Sequence, residues 1–315
     1  MAEITEAKKI TMDASWKVNG FCNFDCPYCY DARSLRKDGA LLGNPNIESV
    51  IDFFNQTGNW YIHMLGGEPF MHPRFIELCQ GLTENHIISM NTNLSSPKVY
   101  EFAEKIDPKK VRYFICSTHI PELERLNLKK DFFKKYDYMN KRGFRMEASL
   151  VVWPPLLKRL KNICDEFQEN GITLMPTVFR GFYEGKRYPE SYTKKELILI
   201  RESNKQKESK LLAEIQSAHG ALTFEGSACR AGVNHIVVSE NGDVSRCASS
   251  HEIMGNIYKN NVKFLEKPEK CNFRICACAY EGRLLSSEKP RLLKRNFQEK
   301  IENLRSRINL LNAKK

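Results

Sequence analysis

The chain has 315 residues, 42% of them hydrophobic, enough to bury the core of one large α/β domain and a smaller second one. No apolar run is long enough to span a membrane and the first residues hold no signal-type segment, which predicts a cytoplasmic protein whose eleven cysteines bind metal rather than form disulfides. The formal charge of +11 is compatible with a phosphate-bearing or nucleic-acid ligand, but the lysines are spread out without aromatic interleaving, so ordinary solubility is the preferred reading.

Ser15 to Val18 reads as a first strand. It runs into Phe21-Cys22-Asn23-Phe24-Asp25-Cys26-Pro27-Tyr28-Cys29-Tyr30. Three thiolates this close can share one metal centre and leave one position open, as a reactive centre requires. On spacing alone, a structural zinc with its fourth ligand elsewhere is the alternative. Ile47 to Asn55 follows as a helix with Ile47, Val50, Ile51 and Phe54 on one face. Trp60 to Leu65 is a second strand, and Pro73 opens a helix carrying Phe75, Leu78 and Leu82. Ile87 to Met90, Val111 to Cys116, Arg145 to Val152 and Ile172 to Phe179 are further strands. The helices between them begin at Pro97, span Phe132 to Asn140 and span Leu156 to Gln168, and a last long helix lies within Thr193 to Ala218. Six strand–helix units predict a parallel sheet with right-handed crossovers, short of the eight that close a barrel. Ligands of such sheets bind at the carboxyl ends of the strands.

The polar motifs fall at those ends. Gly66-Gly67-Glu68-Pro69 follows the second strand directly, two glycines that let backbone approach a ligand and then a carboxylate. Thr92-Asn93 ends the third strand and Ser117 the fourth; His119 follows two residues later, and Arg180 comes after the sixth. Cys79, Cys116 and Cys164 stand alone and read as core residues.

Cys-x3-Cys-x2-Cys with an aromatic residue before its last cysteine, followed by Gly-Gly-Glu-Pro behind a strand, resembles the signature of the radical S-adenosylmethionine (SAM) enzymes. The resemblance implies a partial (β/α)6 TIM-like barrel. It implies a 4Fe–4S cluster on Cys22, Cys26 and Cys29, whose fourth iron takes SAM and whose electron cleaves it to a 5′-deoxyadenosyl radical. By the same resemblance Tyr28 lies near the adenine, Gly66, Gly67, Glu68 and Pro69 bind the methionine amino group, and Asn93 and Ser117 are candidates for the ribose and carboxylate.

The last third adds Cys229, Cys247, Cys271, Cys276 and Cys278. Two apolar runs about Asn241-Gly242 read as a β-hairpin whose ends bring Cys229 and Cys247 together. This region resembles the auxiliary-cluster extension called the SPASM or twitch domain, with departures: five cysteines replace the full seven, and the closing pair is Cys276-x-Cys278. The resemblance implies one auxiliary 4Fe–4S cluster, on Cys229, Cys247, Cys276 and Cys278, with Cys271 as a substitute ligand or unused. A structural zinc is the rival.

The resulting organisation is an α/β barrel over 1–220, a small cysteine-rich hairpin domain over 221–289, and a helix over 290–315 with a heptad seam through Phe297, Ile301, Leu304, Ile308 and Leu311. The expected activity is hydrogen abstraction from a small molecule, such as a sugar or nucleotide conjugate, with flavodoxin or ferredoxin as electron donor. The cluster loop starts by Cys22, leaving no room ahead of it for a leader-peptide-binding domain. A peptide- or protein-modifying maturase is the alternative enzyme, and a zinc-binding interaction module the alternative outside enzymes. No nucleic-acid or membrane partner is expected.

Overall fold

The structure, a computed structural model, describes residues 10–30, 44, 46–203, 222–223, 225–273 and 291–292. Strands β1 (Met12–Lys17), β2 (Trp60–Leu65), β3 (Ile87–Thr92), β4 (Val111–Ser117), β5 (Met146–Val152) and β6 (Leu174–Val178) pair in parallel and in chain order. Helices α1 (Ile47–Thr57), α2 (Phe75–Asn85), α3 (Lys98–Lys105), α4 (Ile120–Arg125), α5 (Lys129–Lys141) and α6 (Leu160–Glu169) cross between them, and α7 (Lys194–Glu202) follows β6. This is the α/β sheet of six alternating units that the sequence predicts.

The departures have local causes. The Pro73 helix starts only at Phe75, because a tight turn over Pro69–Met71, capped by the Glu68 side chain, comes first. A similar turn over Pro154–Arg159 precedes α6. The short α4 escapes sequence reading, since six residues carry too little periodicity to register. Asn46 caps α1 through Ser49 N–H (3.2 Å), and Thr193 and Glu196 form a reciprocal capping box on α7. Residues 204–218 of the expected long helix lie outside the described residues.

Alternate strand residues supply the core. On β4, Phe114 and Cys116 are buried, which leaves Tyr113, Ile115 and Ser117 on the opposite face. Phe70, Phe75, Phe102, Phe114 and Phe144 are fully buried and meet largely edge to face, at centroid distances of 4.9 Å (Phe70–Phe75) and 5.4 Å (Phe102–Phe114). Burial of each ring contributes about 1.5–3 kcal/mol. Cys79 and Cys116 belong to this core, and Cys164 packs half-buried against it, as expected. Burial pushes all three thiols up, Cys164 to about 11, so they remain protonated.

Beyond β6 come the hairpin β7 (Gly181–Tyr183) and β8 (Lys186–Tyr188), then β9 (Leu222–Thr223) and β10 (Ala228–Cys229). Strand β11 (His235–Val238) then adds to the open edge of β1, parallel to it, with Ser15 opposite Val237; β12 (Asp243–Ser245) and β13 (Ile253–Asn256) extend the sheet antiparallel to nine strands. The hairpin of the cysteine-rich region therefore covers the barrel's first edge, which would otherwise expose unpaired backbone groups. Asp13 Oδ1 and His235 Nδ1, 2.8 Å apart and both buried, join the two strands. The hairpin loop differs from a two-residue Asn-Gly turn. Only Gly242 has positive φ (+81°), and its N–H donates to Ser239 O at 2.9 Å, so a turn is followed by one left-handed residue. Strand β14 (Glu269–Lys270) pairs with β10. The expected helix over 290–315 begins differently: β15 (Arg291–Leu292) pairs with β9, and the other residues of that span lie outside the described residues.

Candidate active site at the carboxyl ends of the strands

The loop from β1 carries Cys22, Cys26 and Cys29 to the carboxyl end of the sheet, where it meets the turn after β2. Glu68 N–H donates to Phe21 O (2.8 Å) and Gly67 N–H to Asn19 O (3.1 Å). The packing is so close that a Cβ on Gly67 would stand 2.0 Å from Phe21 O, so glycine is required there for contact alone. Gly66, Gly67 and the cysteine loop thus form one unit, as their succession in the sequence suggests.

Glu68 is fully buried, and its carboxylate faces inward. Oε1 accepts from the Thr92 hydroxyl (2.7 Å) and Phe70 N–H (3.2 Å), and Oε2 accepts from Asn93 N–H (2.7 Å). Its backbone carbonyl takes Asn19 Nδ2 (2.8 Å). Burial pushes the carboxyl up to about 7 despite these donors. Asn93 is also engaged: Nδ2 donates to Asn23 Oδ1 (3.0 Å) and points at Cys22 Sγ (4.0 Å), while Oδ1 accepts from Ser95. Both side chains expected to meet SAM thus hold the end of β3 to the cysteine loop and the turn after β2. Pro69 is buried in that turn.

Tyr28 is half-buried between Trp153 (centroids 5.6 Å) and His119 (5.8 Å), and its hydroxyl shares a hydrogen bond with His119 Nδ1 (3.2 Å). Burial, then the neighbouring Cys26, Glu122 and Cys29, push its phenol far above the usual value, so it stays neutral. His119 therefore packs in the wall of the site. Ser117 ends β4, half-buried, at the same edge.

A cavity of about 1070 Å³, open to solvent, is bordered by Tyr28, with Tyr30 of the same loop, and lined also by Lys17, Val151, Arg180, Glu240 and His251. It lies between the strand ends and the β11–β12 hairpin. Lys17 and Glu240 bridge its two walls at 3.2 Å.

The donor set suits an iron–sulfur cluster. The cysteines share one loop, and Cys22 Sγ receives Phe24 N–H (3.5 Å) as well as the Asn93 amide, donors that favour a thiolate. Among the described residues no three Cys, His, Asp or Glu side chains are gathered as a single metal ion needs. In the second cysteine group, Cys229, Cys247 and Cys271 form one buried cluster with Ala231. Cys271 is placed by pairing: its N–H donates to Ser227 O (2.9 Å), and its carbonyl accepts Gly226 N–H (2.7 Å). Cys276 and Cys278 lie outside the described residues.

Sequence reading missed Glu122. This α4 residue is buried, and its Oε2 accepts from Asp25 N–H (2.8 Å) inside the cysteine loop. The two residues are 97 positions apart, and no local pattern links them.

Residues 16–184, just over half of the chain, match the Radical SAM superfamily. The chain belongs to that superfamily, for which a SAM-binding 4Fe–4S cluster is implied. It is 29% identical over 80 residues to mycofactocin maturase MftC of Mycobacterium ulcerans, a match spanning 25% of this chain and 21% of that protein. Its fold is similar to that of Streptococcus suis SuiB bound to the precursor peptide SuiA, with a TM-score of 0.53 and 14% identity over 80% of this chain and 63% of SuiB. It is also similar to anSMEcpe with bound AdoMet and the Kp18Cys peptide, with a TM-score of 0.55 and 16% identity over 80% and 81% of the two chains. The chain matches about a fifth of the length of the curated maturase and under two thirds of SuiB.

Proposed function

We propose that this protein is a peptide-modifying radical SAM enzyme, in which Cys22, Cys26 and Cys29 hold the SAM-binding cluster at the mouth of a partial barrel. The observation that carries this reading is the cavity of about 1070 Å³ beside the cysteine loop. Pockets for one small ligand run to roughly 300–1,000 Å³; this one stands at the top of that range, and its open side admits a chain. The relative named a maturase and the neighbours solved with peptides point the same way. The small-molecule expectation rested on the early position of the cysteine loop, but a leader-binding domain can be a separate chain.

When bound, the reduced cluster and SAM supply the radical that takes hydrogen from the substrate. The residues of the chain orient and enclose. Gly66 and Gly67 present close-packed backbone to the methionine end of SAM. Glu68 and Asn93 lock the strand ends behind it. Tyr28, between Trp153 and His119, offers an aromatic wall for the adenine, and Ser117 a hydroxyl at the same edge. Cys229, Cys247 and Cys271, completed by Cys276 or Cys278, would hold one auxiliary 4Fe–4S cluster in a twitch-like extension, where it would supply an electron acceptor. Their convergence in one buried cluster supports including Cys271.

The test uses anaerobically reconstituted protein with dithionite and SAM. It should form 5′-deoxyadenosine, and a perdeuterated candidate precursor peptide should pass deuterium to it. Deuterium arriving from a sugar or nucleotide conjugate instead would return the assignment to a small molecule.

A further inference from the structure

We propose that Glu122 is a positioning residue for the cluster loop: its buried carboxylate fixes the backbone just ahead of Cys26, and its charge tunes the reduction potential of the cluster held there. This inference rests on the placement of that cluster at Cys22, Cys26 and Cys29.

Glu122 lies in the first turn of α4, where a carboxylate ordinarily turns back on the helix's own N–H groups. It reaches across to another element instead. Asp25 N–H, one residue before Cys26, donates to Oε2 at 2.8 Å. Arg125 grips the same carboxylate, Nε to Oε1 at 2.9 Å and Nη2 to Oε2 at 2.7 Å. The partners differ in exposure: the Glu122 side chain is 4% exposed and that of Arg125 56%. The negative charge therefore stands in the interior beside the cysteine loop, while the positive one is largely in water and screened. The Arg125 hydrogen bonds hold the carboxyl below its usual range, so it is ionised at neutral pH. A hydroxyl or amide could cap one N–H without the cost of burying a charge. A fixed negative charge does what those groups cannot, because adding an electron to the cluster nearby then works against it. Net charge and hydrogen bonding are the levers by which proteins set iron–sulfur potentials.

The experiment is a charge series in the full-length, reconstituted protein: Glu122→Gln, Arg125→Gln and Glu122→Ala. The readouts are iron and sulfide per chain, and the midpoint potential of the paramagnetic cluster signal that SAM perturbs. Glu122→Gln keeps an acceptor for Asp25 N–H, so it should retain wild-type iron and shift the potential positive. Arg125→Gln leaves the carboxylate uncompensated and should shift it negative. Glu122→Ala orphans Asp25 N–H and should lose iron from this site. Unchanged potentials in both charge variants, or shifts of the same sign, would overturn the tuning role; full iron in Glu122→Ala would overturn the positioning role. Should Glu122→Gln fail to fold, the sign of the Arg125→Gln shift still decides the tuning role. A wild type lacking any SAM-sensitive signal would overturn the cluster assignment and this proposal with it, an outcome distinct from a normal wild type with unmoved variants.

Discussion

Replacing Glu68 with glutamine tests whether this carboxyl is a buried brace. The best placement of the new amide turns its oxygen to Asn93 N–H and its NH2 to Thr92 Oγ1, which leaves Phe70 N–H without the acceptor it has now. One orphaned buried N–H costs about 1–3 kcal/mol. The pH dependence is the sharper signature. Burial raises the folded carboxyl from 4.5 to about 7. Below pH 4.5 the carboxyl is protonated in folded and unfolded chains alike. Between pH 4.5 and 7 the unfolded form ionises while the folded one keeps its proton, so folding weakens as pH rises, on the order of 3 kcal/mol across the window. Glutamine does not titrate. Urea unfolding of both apo proteins, anaerobic and reduced, should show wild type the more stable at pH 4.5. That margin should shrink or reverse by pH 7. A margin that stays flat, or widens as pH rises, would refute the argument, since the latter is what an ionised, hydrogen-bond-stabilised carboxylate gives. In the holo-protein, Glu68→Ala should also weaken SAM binding by releasing the end of β3; unchanged affinity in equilibrium dialysis would count against this map of the site.

Iron and sulfide analysis after anaerobic reconstitution should give about eight irons per chain, falling to about four when Cys22, Cys26 and Cys29 all become alanine. Cys271→Ser should leave the SAM-responsive cluster intact and remove about four irons; full iron would show that Cys276 and Cys278 complete the second site without it. Gly67→Ala places a methyl group 2.0 Å from Phe21 O, so the cysteine loop must move. Overpacking of this kind costs about 1–3 kcal/mol, and reconstitution should then load less iron at the first site; wild-type loading and stability would contradict the close packing.

Features carried by short stretches of chain were legible at once. The thiolates of Cys22, Cys26 and Cys29 have the spacing of neighbours on one cluster. The glycines of Gly66-Gly67 announce a close approach, and strand–helix alternation dictates a parallel sheet with its site at the strand ends. Element boundaries were less legible where a side chain intervened, as when Glu68 caps the turn that delays α2 to Phe75.

The sequence by itself pointed to the superfamily and to the carboxyl end of the sheet as the candidate site, because ligand spacing and hydrophobic periodicity are local properties. The tertiary structure decided what each polar group does there. It turned the Glu68 carboxylate inward to Thr92 and Asn93, brought Glu122 to Asp25 across 97 residues, laid β11 on the edge of β1, and gathered Cys271 with Cys229 and Cys247. Contacts between distant segments leave no periodic trace in the chain; they are fixed only when packing forces each buried polar group to find a partner.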